Sequence, residues 1–528
     1  MDSYDEIPYH SAPFAETHPV NLAVIGRLFG LETPDPDACR VLELGCASGG
    51  NLIPMAWHLP GSRFEGVELS PAQAAEGGAL VEALGLTNAC IRQADILGLG
   101  PEVGAVDYLI VHGVYSWVPP AVQERILALC AECLSPSGIA YVSYNTLPGW
   151  RMRGMLRDIL LYHTRAATSP EERLARAREL LERIDPALEP LDALSARYLR
   201  QEVAYLRRAH PSYLYHEYLE ELNEPLLVTD FVARAERHGL QYLADTNLAS
   251  MFPASLGDSA TALVEGLETQ VEQEQYLDFV SSRNFRQTLL CRAERTLDRE
   301  LDLDGLARFA AFSALESPRK VDLRATRPVP FRRAGGQAFE VHHPLTRAAL
   351  LALERVFPDS VALEELHRSA EGQVAAAGLG RQATEHDHLA GELFSLYANG
   401  AIGLDTRPRT FPGAGGGLAR PNGLARAQVA RGLGHLATAR HATLNLDPFA
   451  SALVAHLDEA STQADLVERL AAAIESGRLA LGAGGASQGP RLRAQVAGNV
   501  ERLLALFARH GLLEARQGAV LLSPPGDT

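Results

Sequence analysis

The sequence predicts an α/β chain in which a parallel sheet flanked by helices comes first and two small, mainly helical domains come after it. Three observations carry this. Short apolar runs at Arg40–Leu44, Arg63–Glu68, Ala89–Gln93, 108–111 and 139–143 alternate with helical patterns, the sequence form of repeated βαβ units. Two of those runs, about 25 residues apart, close in the acids Glu43 and Glu68, and the first then turns through glycines. Beyond residue 298 strand-like runs give way to amphipathic helices punctuated by glycine and proline.

A chain of 528 residues exceeds one core and divides into about three domains. Its 47% hydrophobic and 21% charged residues describe a soluble protein, and the net charge of −17 opposes general affinity for nucleic acid or anionic membranes. No nucleic-acid partner and no membrane insertion are therefore expected. The stretch Met1-Asp2-Ser3-Tyr4-Asp5-Glu6 is acidic and lacks the regions of a signal peptide, so the expected location is cytoplasmic. Cys130 and Cys133 form a lone Cys-x-x-Cys that reads as two apolar helix residues, and no metal is expected. Lys320 is the only lysine.

In chain order, an aromatic and proline-bearing arm from Tyr4 leads into a helix at 21–29. Helices at 72–84 and 121–134 then separate strands. After Trp150 come long charged helices at 151–164, 170–183 and 193–209, a helical insertion of about 151–235. Runs at 239–244 and 285–291 read as the last two strands of the same sheet, which sets the first domain at 1–298. Segments 326–330 and 333–336 read as linker or turn within a middle, mainly helical domain, 299–406. The glycine-rich stretch 407–417 is the clearest linker. Helices at 448–458, 463–476 and 492–510, with a hairpin from 512–515 and 519–522, make the last domain, 418–528, winged-helix-like. Neither distal domain has an arginine-rich recognition helix, which favours contact with protein.

The first domain carries the chemistry. Gly45 and Gly49, in Gly45-Cys46-Ala47-Ser48-Gly49-Gly50, can adopt positive φ and expose amides to a cofactor's aminoacyl end. Glu43 can reach that end's ammonium, Glu68 suits two ribose hydroxyls because a carboxylate only accepts, and Asp95 suits an adenine amino group. Three acids at successive strand ends make a crevice for an adenosine-bearing ligand. The turn is not Gly-x-Gly-x-x-Gly, so S-adenosylmethionine is favoured over NAD. The fourth strand runs into His112-Gly113-Val114-Tyr115-Ser116-Trp117, placing His112, Tyr115 and Trp117 as candidates for the reactive centre. Aromatic faces can hold a sulfonium or an ammonium. Tyr115, His112 or water could take the proton that an amine acceptor must lose. A packing role for Tyr115 and Trp117 is the alternative. Asn145, in Tyr144-Asn145-Thr146-Leu147-Pro148-Gly149-Trp150, could shape an acceptor pocket, though such a turn is also a common loop.

These phrases, with Tyr4-Asp5-Glu6-Ile7-Pro8-Tyr9, Thr17-His18-Pro19, Tyr215-His216-Glu217-Tyr218-Leu219 and Phe285-Arg286-Gln287-Thr288-Leu289-Leu290-Cys291, carry a resemblance. The sequence resembles the class I S-adenosylmethionine-dependent methyltransferases that carry a methyltransferase regulatory domain. Within them it is similar to the rickettsial outer-membrane-protein lysine methyltransferases. The resemblance implies a Rossmann-like, seven-stranded methyltransferase sheet with a helical insertion, and an N-terminal arm with Tyr4, Tyr9 and His18 over the cofactor. It implies a cofactor set of Glu43, Gly45, Ala47, Gly49, Asn51, Glu68, Leu69, Ser70, Asp95, Ile96, His112 and Gly113. The wider class favours glycine where this chain has Ala47. The distal modules resemble substrate-docking or dimer-forming parts, so a homodimer is a further expectation. Among acceptors, a lysine-bearing protein, extended or unfolded, ranks first. The alternatives are a small-molecule methyltransferase and a cofactor-binding regulator without turnover.

Overall fold

A computed structural model describes residues 7–9, 11–300, 302–380, 386–412, 419–457, 462–480 and 489–515. The chain divides into two compact units, one of Met1–Ala12 with Glu16–Leu301 and one of Pro13–Ala15 with the residues from Asp302 onward.

The first unit opens with α1 (Pro19–Leu28), capped by His18 Nδ1, which accepts the Val20 amide at 3.3 Å. Then come β1 (Arg40–Leu44), α2 (Leu52–His58), β2 (Arg63–Glu68), α3 (Pro71–Ala83), β3 (Ala89–Gln93), β4 (Val106–Val111), α4 (Pro120–Cys133) and β5 (Leu134–Asn145). Strand β1 lies between β2 and β4, so Val41, Leu42 and Leu44 are all buried, as a central parallel strand covered on both faces requires. Cys130 and Cys133 are free, buried residues of α4. The insertion consists of α5 (Trp150–Thr164), α6 (Pro170–Leu188), α7 (Leu194–Leu206) and the short α8 (Pro211–Tyr218). These helices pack around a small core of their own that includes Leu156, Leu160, Leu181, Val203 and Leu214. The unit closes with α9 (Val228–Glu236), β6 (Leu240–Asp245), α10 (Asp258–Val264), α11 (Gln270–Ser281) and β7 (Phe285–Arg292).

The seven strands run in the order β3-β2-β1-β4-β5-β7-β6. The expectation of an all-parallel sheet fails at one place: β7 slots between β5 and β6 antiparallel to both. A buried charge network holds it there. Arg286, on β7, grips Asp278 Oδ2 through Nε at 2.7 Å and Oδ1 through Nη2 at 2.9 Å, and donates to Glu274 Oε2 at 2.9 Å. Both acids come from α11, so β7 and α11 are locked face to face by charges that have no water to fall back on.

The second unit comprises β8 (Ala310–Phe312), β9 (Val329–Arg332), β10 (Ala338–Val341), α12 (Pro344–Val356), β11 (Val361–Ala362), α13 (Leu363–Ala376), α14 (His386–Ala398) and β12 (Gly403–Asp405), then β13 (Ala419–Pro421), α15 (Gly423–Ala430), β14 (His435–Ala437), β15 (Thr443–Asn445), α16 (Pro448–His456), α17 (Gln463–Glu475), α18 (Pro490–Arg509) and β16 (Leu513–Ala515). The segments read as linker or turn at 326–330 and 333–336 prove to run into β9 and to form the turn of the β9–β10 hairpin, with Gly335 and Gly336 at positive φ. The loop before it wraps the buried Arg347, which donates to the carbonyls of Ala325 (2.8 Å), Arg327 (2.8 Å) and Val341 (3.1 Å). The last helices enclose Leu466, Leu470, Val496, Val500 and Phe507. Strand β16 pairs antiparallel with β13. The expected hairpin partner at 519–522 lies outside the described residues.

Candidate functional site

Strands β1 to β5 are mutually parallel, so their carboxyl ends share one edge, and the order reverses between β1 and β4. That switch point opens a crevice. The turn after β1 fills its floor with bare backbone. Gly45, Ala47 and Gly49 all have positive φ (71°, 49° and 78°). A Cβ on Gly45 would lie 2.6 Å from Val114 Cγ2, and one on Gly49 2.5 Å from Ile91 Cδ1. Ala47 holds a left-handed conformation that costs an L-residue about 1–2 kcal/mol, and its amide donates to Glu68 Oε2 at 2.8 Å.

Glu68 is buried at the end of β2 and also accepts the Ser70 amide on Oε1 at 2.9 Å. Two backbone donors thus fix the carboxylate while each oxygen keeps lone-pair capacity for a ribose hydroxyl. Ser70 caps α3 through the Gln73 amide. Asp95 is exposed and caps a short turn by accepting the Leu97 amide at 2.9 Å, with half-buried Ile96 beside it. Leu69 and Leu97, each 51% exposed, offer apolar surface beside these acids for a planar ring.

Glu43 is buried at the end of β1. Asn51 Nδ2 donates to its Oε1 at 2.9 Å and to Thr17 Oγ1 at 3.0 Å, whereas Glu43 Oε2 has no partner among the described residues. Burial pushes this carboxyl up to about 8, with Asn51 opposing the rise and the charge of Glu68 adding to it. A buried acceptor without a donor is the feature a ligand ammonium would complete. The arm reaches the same turn. Gly50 donates to Ser11 Oγ at 2.7 Å, and upstream the buried His216 sits 2.6 Å from the Ile7 carbonyl through Nε2 and 3.0 Å from Glu220 through Nδ1. Tyr9 lies 5.6 Å from the His216 ring, and Tyr4 lies outside the described residues.

At the end of β4, Gly113 (φ 69°) donates to Ser143 Oγ at 2.8 Å. His112 shares a hydrogen bond with Tyr141 at 2.8 Å, and desolvation lowers its imidazole to about 4. A base that weak is about six pH units below an alkylammonium of about 10.4, so His112 is neutral but a poor proton acceptor. Tyr115 follows in the short turn after β4. It is fully buried, edge-on to Phe231 (5.2 Å) and Tyr144 (6.3 Å), and burial pushes its hydroxyl to about 12 with Arg234 opposing. Trp117 stays half-buried and meets Trp150 edge-on at 5.9 Å. Asn145, buried at the end of β5, has its amide donating to Ser116 Oγ at 2.8 Å and an Nδ2 with no partner among the described residues.

Sequence reasoning missed Ser11, Thr17, Ser116, Ser143 and Tyr141. Only Thr17 and Ser116 stood in quoted phrases. The others are single hydroxyls whose roles arise from contacts across the fold.

Comparisons with known proteins bear on this geometry. Residues 41–138 match a family described as "Methyltransferase domain", 210–292 "Predicted methyltransferase regulatory domain" and 420–512 "PKMT, C-terminal winged helix domain". The uncharacterized protein RP789 of Rickettsia prowazekii is 40% identical over 306 residues, covering 58% of this chain and 55% of that protein. The chain thus spans about half the length of this relative. The uncharacterized protein RP028 of the same organism is 36% identical over 241 residues, 46% of this chain and 96% of that protein. Among solved structures, PKMT2 from Rickettsia typhi in complex with AdoHcy superimposes with a TM-score of 0.83 at 28% identity, covering 96% of this chain and 100% of that one.

Proposed function

The chain belongs to the S-adenosylmethionine-dependent methyltransferases that carry a regulatory domain and a PKMT winged helix, and on that premise we propose that it N-methylates lysine side chains of a protein substrate. The observation that carries the lysine reading is the likeness to Rickettsia typhi PKMT2, which extends through the distal modules and not only the sheet. Domains of this kind supply the acceptor choice that a methyltransferase sheet alone does not.

The residues present fit the cofactor. When bound, S-adenosylmethionine supplies a methyl group on a cationic sulfur, which is released as a neutral thioether once an amine takes the methyl. Glu43 holds the aminoacyl ammonium with its unused oxygen, Glu68 the ribose, and Asp95, Ile96 and Leu69 the base. The Gly45–Gly50 turn would lie along the aminoacyl end, with its Gly45, Cys46, Ala47, Gly49 and Gly50 amides already bonded within the protein. Methyl transfer is an in-line displacement, so the chain's contribution is alignment and exclusion of water. His112, Trp117 and Asn145 shape the acceptor side of the crevice. The modules 299–406 and 418–528 dock an extended polypeptide or join two copies of the chain. No helix among the described residues is long and apolar enough to cross a membrane.

The test is radiolabelled methyl transfer into a cell lysate, with the protein pool hydrolysed and its amino acids separated. Label in methyl-lysine is expected. Label confined to small molecules removes the proposal in favour of a small-molecule methyltransferase.

A further inference from the structure

Helix α8 carries Tyr213 and Glu217 one turn apart on its less buried side. Neighbouring elements bring aromatic rings to the same place. Tyr205, from α7, stands edge-on to Tyr213 at 5.6 Å. Arg153, from α5, donates to the Tyr213 hydroxyl at 3.4 Å, and its guanidinium lies 5.7 Å from the Trp150 ring. Tyr9, from the arm, stands 5.6 Å from the ring of His216, the neighbour of Glu217, and its hydroxyl is raised by burial and further by the Glu217 charge. These residues bridge the two halves of the site. Tyr9 is two residues from Ser11, which sits on the cofactor turn, and Trp150 touches Trp117 in the loop after β4.

Among the described residues none donates a hydrogen bond to Glu217 or forms an ion pair with it, although Arg153 and His216 both act on it through space. Arg153 Nε is likewise without an acceptor among those residues. Glu202 completes the local charge, accepting the Tyr218 hydroxyl at 2.7 Å. The two carboxylates, Glu202 and Glu217, share the single guanidinium of Arg153. Aromatic faces around a half-buried carboxylate favour an alkylammonium, and they discriminate against a neutral acceptor.

We propose that Glu217, with Tyr9, Tyr213 and Trp150, forms the subsite that receives the cationic amine of the acceptor side chain. The subsite rests on the lysine reading above. It gives a role to the contact of α8 with the arm, where His216 Nε2 sits 2.6 Å from the Ile7 carbonyl. Burial raises the Glu217 carboxyl to about 7, against the opposing influence of Arg153 and His216. That value stands about three pH units nearer to an alkylammonium than His112 does.

The experiment compares the full-length wild type with Glu217→Gln and Glu217→Asp. It measures methyl-lysine formation in the labelled lysate at several protein concentrations, and S-adenosylmethionine affinity by calorimetry. Glu217→Gln should lower methyl-lysine formation about 30-fold at low acceptor concentration, recover in part at high concentration, and bind the cofactor within about twofold of wild type. Glu217→Asp should restore part of the loss. Methyl-lysine formed equally by Glu217→Gln and wild type overturns the subsite and leaves the lysine reading intact. Cofactor affinity that falls in step with activity also overturns it, because Glu217 would then serve the donor. If the wild type forms no methyl-lysine and both proteins label small molecules equally, the lysine reading and the subsite fall together.

Discussion

Glu43→Gln separates the effect of this carboxylate on the fold from its contribution to cofactor binding. The side chain is buried, and only one of its oxygens is hydrogen-bonded. Its ionisation moves from 4.5 to about 8 on folding, chiefly through desolvation. Below 4.5 both folded and unfolded chains are protonated there and nothing is lost. Between 4.5 and about 8 the unfolded chain ionises first, so folding stability falls as pH rises, and above about 8 the full loss applies. At about 1.4 kcal/mol per pH unit, that loss is on the order of 5 kcal/mol for the cofactor-free protein. Glutamine keeps an acceptor for Asn51 and removes the charge, but its new N–H donors are desolvated in turn. The expected net gain is about 2 kcal/mol at pH 8.5 and close to none at pH 4.5, read from urea unfolding of the cofactor-free protein at both pH values. Cofactor binding should move the other way, weakening by about 2 kcal/mol, or about 30-fold, because the ligand ammonium loses its counter-charge. Calorimetry at pH 7 in buffers of different ionisation enthalpy should also show wild type releasing about one proton on binding, and the variant none. A variant no more stable than wild type at pH 8.5, or one with unchanged affinity, would refute this account of Glu43.

Three further outcomes are expected. Glu68→Ala should weaken S-adenosylmethionine binding by about 1–3 kcal/mol in calorimetry, since ribose donors and the Ala47 and Ser70 amides lose their acceptor; unchanged affinity removes the ribose assignment. Gly50→Ala places a Cβ 2.5 Å from the Ser11 carbonyl, so the arm should become more sensitive to limited proteolysis and the cofactor should bind about tenfold more weakly. An arm equally protected in the variant contradicts that contact. Arg286→Ala strands Glu274 and Asp278 inside the unit and should destabilise it by about 3–5 kcal/mol at neutral pH, measured by denaturant unfolding; a loss below about 1 kcal/mol would show that the network does not hold β7.

The readings that came closest to the structure were local ones. Glu43 stands one residue before the end of β1 and Glu68 ends β2, each next to the turn that follows, and both signals are carried by neighbours in sequence. The same logic places β1 to β4 within a residue or two of their apolar runs. Tyr115 is less legible: four residues past a strand it can point to the crevice or beneath it, and its contacts with Phe231 and Tyr144 arise only in the fold. Of the β9–β10 hairpin the sequence marks the glycine turn, but its strands, Val329–Arg332 and Ala338–Val341, are only four residues long, too short for a period to stand out from the linker or turn around them.

By itself, then, the sequence determined the cofactor-binding character of the first sheet, the order of its early elements and the helical nature of the distal half, because glycine turns, strand ends and helical periodicity act over a few residues. Only the tertiary structure decided that β7 runs antiparallel between β5 and β6, that Ser11 rests on Gly50, and that Glu217 stands among rings from three helices and the arm. Those pairings join residues far apart in the chain, and they are chosen by which buried charges and faces can be satisfied together, a condition that no single stretch of sequence contains.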